Sequence, residues 1–227
     1  MKIVPRLTYN PTWFRRLTAP EEPWLRTLAP AFTEGRPAPV LTPEAVADPW
    51  DGRLAFPSPG RAAGYARVLA ETIRACRPEL EARRVRLDSY VDPDKIRLAQ
   101  KTWRRTHERV WIAGRFQLGR KYGALAPTDA VLKLPAEEIA LDPASVLIIL
   151  TVAVMEHGTQ ALQPMWIDCP GAQYDPEGKK KFADCPRWNV STDPSPDDVA
   201  FLSLDWNWEA SLRARANHGS ATMLLEP

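Results

Sequence analysis

At 227 residues, 44% of them apolar, the chain is long enough for one large domain with a substantial core. No run of 18 apolar residues occurs to span a bilayer, and the opening MKIVPRLTYNPTW lacks the apolar segment of a secretory signal. Net charge is only +2, yet residues 1–125 hold 23 basic against 13 acidic side chains, and residues 126–227 hold 7 against 15.

Such asymmetry has three readings: attraction between the halves within one fold, head-to-tail stacking of copies, or a basic half that faces an external polyanion. Arg outnumbers Lys by 22 to 8, and Ala and Pro are abundant, the bias of a GC-rich bacterial or phage coding sequence.

Residues 1–60 hold 11 of the 23 prolines, which removes backbone donors and disfavours long helices or central strands. The same stretch is rich in aromatics, so it reads as an extended arm rather than a disordered tail. Trp13, Phe14, Trp24 and Trp50 are its candidate anchors, packed either on the protein's own domain or on a neighbouring subunit. The globular part is then 61–227.

The segment 61–77 places Ala62, Tyr65, Leu69, Ile73 and Cys76 at helical spacing before Pro78, which predicts an amphipathic helix with a buried Cys76. RVRLDSYV at 84–91 alternates as a strand does. Asp92-Pro93 supplies a helix cap and a first-turn proline, so 93–113 is expected as a second helix. Its apolar stripe would be Ile96, Ala99, Trp103, Thr106, Val110 and Ala113, and a Gly-flanked loop would follow from Gly114 to Gly123.

Further strands are expected at 130–134, at the apolar run 146–155 and at 164–168, with a long loop over 169–198. A period of two runs from Ala200 to Ala216, and SATMLLE after the turn at 217–219 reads as its partner strand. The fold class is α+β: a mixed or antiparallel sheet of about five to seven strands, two main helices and the proline-rich N-terminal arm.

Residues 93–122 concentrate nine Lys and Arg against two acids, with four aromatics among them. Lys95, Arg97, Lys101, Arg104, Arg105 and Arg109 fall off the expected apolar stripe, and Arg115, Arg120 and Lys121 extend the charge. Guanidinium forks suit phosphates, and Trp111, Phe116 or Tyr122 would be the aromatics available for stacking on bases. No established nucleic-acid motif accompanies them.

Other chemistry is weaker. Cys169, Cys185, His157 and His218 lack the paired spacing of a zinc site, so no metal and no cofactor is expected. The three cysteines, without an export signal, fit reduced thiols in a cytoplasm. A Cys185/His157 dyad is the only nucleophile-and-base pairing, and nothing in the sequence joins the two. Glu137, Glu138 and Asp142 lack the acid-x-Lys triplet of metal-dependent nucleases, and phosphate-loop glycines are absent.

The expectation is a non-catalytic binding subunit of a larger assembly. Its basic strip would hold a nucleic-acid backbone or an acidic protein surface, away from membranes. The alternatives are a toxin-neutralising or virion protein acting only through protein contacts, and a hydrolase with a Cys/His site.

Overall fold

Two apolar helices and one large sheet enclose the core, and the reasons lie in which faces each element can bury. The computed structural model describes residues 50–60, 64–162, 164–175, 184–192, 200–207 and 218–226. Most of the expected arm, with Trp13, Phe14 and Trp24, lies outside the described residues, as does 208–217.

In chain order, β1 (Gly52–Pro57), α1 (Tyr65–Glu81) and β2 (Val85–Ser89) are followed by a 3-10 turn at Pro93–Lys95. Then come β3 (Ile96–Leu98), α2 (Gln100–Thr106), β4 (Trp111–Gly123), α3 (Pro127–Leu132) and β5 (Glu138–Ala140). The chain closes with α4 (Pro143–His157), β6 (Met165–Asp168), β7 (Ala172–Tyr174), β8 (Cys185–Ser191), β9 (Ala200–Asn207) and β10 (His218–Leu225).

Eight strands form one mixed sheet in the order β1-β4-β10-β6-β8-β9-β2, with β5 added to β10 beyond β6. The β10–β6 and β2–β9 pairs are parallel and the others antiparallel. β3 and β7 make a separate two-stranded ribbon.

One face of the sheet is apolar. Leu54, Phe56, Ile112, Phe116, Leu118, Met223, Ile167, Trp188, Val190, Leu202, Leu204, Val85 and Leu87 join α1 and α4 in a single cluster. Amphipathic α1 buries Val68, Leu69, Thr72, Cys76 and Leu80. Helix α4 is buried from Pro143 through Val154, as an element apolar on all sides must be. Its N-terminus is capped by Asp142, which accepts hydrogen bonds from Ala144 N, Ser145 N, Ser145 Oγ and the Tyr65 hydroxyl. Trp188 Nε1 donates to the Pro143 carbonyl at 2.9 Å and ties this helix end to the sheet.

The α+β class and the mixed sheet match expectation, and α1, β2, β6 and β9 fall where sequence places them. Among the described residues the sheet is larger than expected, and four helices occur, two long (α1, α4) and two short (α2, α3), against two main ones expected. The run 146–155 is a helix, not a strand. Its β-branched residues favour strands locally, but the Asp142-Pro143 cap and burial on every side carry a helix through them. Residues 130–134, expected as a strand, lie mostly in α3.

The expected helix 93–113 is broken. Asp92 does cap a turn, accepting from Asp94 N, but β7 captures Ile96–Leu98 as a strand and α2 restarts for only seven residues. Residues 114–123 are no loop: they form the body of β4, an interior strand between β1 and β10. The stretch 169–198 contains β7 and all of β8. β10 pairs with β4, β5 and β6 rather than returning along β9.

Candidate anion-binding surface

The break in the helix divides the nine basic residues. Lys95, Arg97, Lys101, Arg104 and Arg105 sit on the segment from the 3-10 turn through α2, and four of them are exposed, with Arg105 half-buried. Arg109 follows in the connection to β4, while Arg115, Arg120 and Lys121 lie within β4 and are half-buried.

The second group is used inside the fold. Lys121 Nζ pairs with Glu138, which is 1% exposed, and lies over the Trp50 and Tyr122 rings at 4.9 and 5.1 Å. Burial alone would lower the Lys121 pKa, but Glu138 and Tyr122 outweigh it, and the net shift is upward. Arg109 Nη1 donates to the Glu226 carbonyl at 2.8 Å, and the Glu226 carboxylate pairs with Arg53. Arg115 stands opposite Arg53 in the β1–β4 register. Trp50, one of the expected anchors, is buried against Lys121 of its own chain, and residues 52–57 of the expected arm are the edge strand β1.

The first group differs. Arg97, Arg104 and Arg105 have no carboxylate partner among the described residues, and the Lys101 ammonium meets only the Val131 carbonyl, at 3.4 Å. Their scaffold is firmly held. β3 is hydrogen-bonded to β7, and Ala99 N donates to Gly171 O. On α2, Thr102 Oγ1 donates to the Ala140 carbonyl of β5, and Ser58 Oγ donates to the Thr106 carbonyl. The buried side of α2 is therefore Thr102 and Thr106, at 3% and 0% exposure.

Trp103, placed by spacing on the core stripe, is instead 44% exposed. It stacks on His107, with ring centroids 4.3 Å apart and planes 20° off parallel. His107 Nδ1 lies 3.1 Å from the Trp103 carbonyl, and since a carbonyl only accepts, that nitrogen carries the proton. The aromatics expected to stack on a ligand are withdrawn: Phe116 is 0% and Tyr122 5% exposed, and Trp111 is half-buried in β4. The W-x-x-x-H spacing at 103–107 is the signal in the sequence that marks the exposed pair.

A second cluster, not foreseen, lies on the polar face of the sheet. Asp205, Arg187, Asp168 and Ser220 are successive register partners across β9, β8, β6 and β10. Arg187 is 3.4 Å from Asp205 and stacks 3.8 Å over Trp166, and Trp166 stacks on His218, whose Nδ1 is 3.5 Å from Asp168. Arg187, Asp168, His218 and Ser220 are all buried, so the row is internal structure rather than an open site.

Cys169 and Cys185 both border this row, and burial pushes their thiols well above the usual range, the opposite of what an activated nucleophile needs. His157 ends α4 with Glu156 at 3.7 Å, and no contact joins it to Cys185. Among the described residues no group of three or more His, Cys, Asp or Glu is placed to hold a metal ion. No described helix is long and apolar enough to cross a membrane. No family model, curated protein or solved structure matches the chain.

Proposed function

We propose that the chain is a non-catalytic binding subunit that holds an anionic partner on the surface of the 3-10 turn, β3 and α2. Lys95, Arg97, Lys101, Arg104 and Arg105 would make the contacts. The observation that carries this reading is the contrast in pairing. Lys121 and Arg53 meet carboxylates and Arg109 a carbonyl, whereas Arg97, Arg104 and Arg105 point none of their charge at a described acid.

Exposed cations on a backbone that is already ordered add no backbone-ordering cost when a polyanion arrives, and they release counterions from it. Thiols that burial pushes well above their usual range argue against nucleophilic catalysis at Cys169 or Cys185.

The test is a binding titration of the full chain against labelled heparin and labelled oligonucleotides at two salt concentrations. Binding should weaken with salt on a log-log slope of several units, and R104A/R105A should shallow it by about one unit for each lost contact. Absence of binding to every polyanion at low salt would reject the reading.

A further inference from the structure

We infer that the anionic partner is a single-stranded nucleic acid, with Trp103 the platform for one unpaired base. This inference rests on the preceding reading of the charge and adds the chemistry that the charge alone leaves open.

Three large hydrophobic side chains are exposed among the described residues: Tyr90, Trp103 and Leu132. Of the three, Trp103 alone sits within the basic segment, one residue before Arg104 and two after Lys101. His107 covers one face of its indole, so the exposed area belongs to the other face and the edges. The backing ring is itself fixed, by its Nδ1–H to the Trp103 carbonyl and by the helical bond from His107 N to that same oxygen. A flat aromatic face backed by His107, on a short helix that also carries the exposed Lys101 and Arg104, suits a nucleobase while the cations follow the phosphates.

The alternatives gain less from this geometry. A carboxylate gains nothing from an indole face, which carries negative π density. A duplex keeps its base faces stacked inside and offers phosphates, sugars and base edges but no open face to an indole. The adjacent acid is Glu108, 88% exposed and 3.7 Å from His107 Nε2, and it opposes any polyanion.

The experiment compares fluorescence anisotropy of labelled oligo(dT), oligo(U), a duplex of equal length, heparin and poly-glutamate. Wild type, W103A, W103F and R104A/R105A are measured, each shown folded by its melting curve. W103A should weaken oligo(dT) and oligo(U) about tenfold or more while leaving duplex and heparin almost unchanged, and W103F should recover most of the loss. R104A/R105A should weaken every polyanion.

If W103A matches wild type on single strands while R104A/R105A weakens all ligands, the stacking role is wrong and the charge reading stands. Preference for poly-glutamate over every oligonucleotide would point to an acidic protein and overturn the inference. Failure of all five ligands to bind at low salt would overturn both.

Discussion

Lys121 of the basic half reaches Glu138 of the acidic half, and the two pair inside the protein. Glu138 also accepts from Thr222 Oγ1 and from the Tyr122 hydroxyl, so its carboxylate is enclosed by donors. Part of the charge asymmetry is thus spent within the fold. Arg97, Arg104 and Arg105 of the β3–α2 segment meet no carboxylate among the described residues.

Replacing Lys121 by Met leaves the buried Glu138 without its cation. A loss of about 2–4 kcal/mol is expected, since an uncompensated buried charge costs more than the pair gains. The folded-state pKa of Lys121 is raised above its usual 10.5, so the stabilisation is complete below that value and is lost as pH rises through the folded pKa. Urea midpoints of wild type and K121M should therefore differ at pH 8 and converge in strong base. A constant difference would contradict the assignment.

Asp142 behaves with the opposite chemistry but the same sign. Burial is the largest influence on its carboxyl and raises the pKa above 3.8, against hydrogen bonds from Ser145 and Tyr65 that lower it. A raised folded pKa means that its contribution is fullest below 3.8 and declines as pH rises through the folded value. D142N keeps an accepting oxygen for the helix cap and has no proton to lose. The stability advantage of wild type over D142N should shrink between pH 3.5 and 7, read by denaturant midpoints. An advantage that grows with pH would show that the ionised form is the favoured one.

All three cysteines are buried and free. Burial pushes the Cys76 thiol up to about 12, and Cys169 and Cys185 move in the same direction. A colourless disulfide reagent that releases a chromophore on reaction should find almost no thiolate in native protein at pH 8, and three thiols after denaturation. Rapid labelling of Cys185 in the native state would revive the nucleophile alternative.

Gly60 sits where a Cβ would come within 2.3 Å of Thr106 Oγ1 and 2.9 Å of His107 N. Because one of those atoms is backbone, G60A must push the end of α2 outward. A cost of about 1–3 kcal/mol is expected, with weaker polyanion binding although no cation is altered. Unchanged affinity in a folded G60A would show that the position of α2 does not matter to the site.

The parts legible in the sequence are those whose signals are local. The stripe through Leu69 and Cys76 gave α1, and the alternation in RVRLDSYV gave β2. Asp92-Pro93 reads as a cap and does cap a turn, and the identical Asp142-Pro143 start of α4 is the local cue that the apolar run after it conceals. What stayed hidden depends on partners far along the chain. β7, some 75 residues away, turns Ile96–Leu98 into a strand, and that capture rotates Trp103 from the expected core stripe to the surface. Most of the expected stacking aromatics went the other way for the same reason: once 111–123 is an interior strand, Phe116 and Tyr122 are enclosed. The basic residues were visible as a cluster, but which of them are already paired depends on Glu138 and Glu226, which no local pattern connects to them.

Amide hydrogen exchange with and without a bound polyanion tests the central claim most directly, because it locates the contact without altering a residue. Slower exchange confined mainly to residues 96–107 when heparin or oligo(dT) is added is the predicted result. Binding that leaves 96–107 unchanged and protects β4 or the C-terminal strands instead would contradict it.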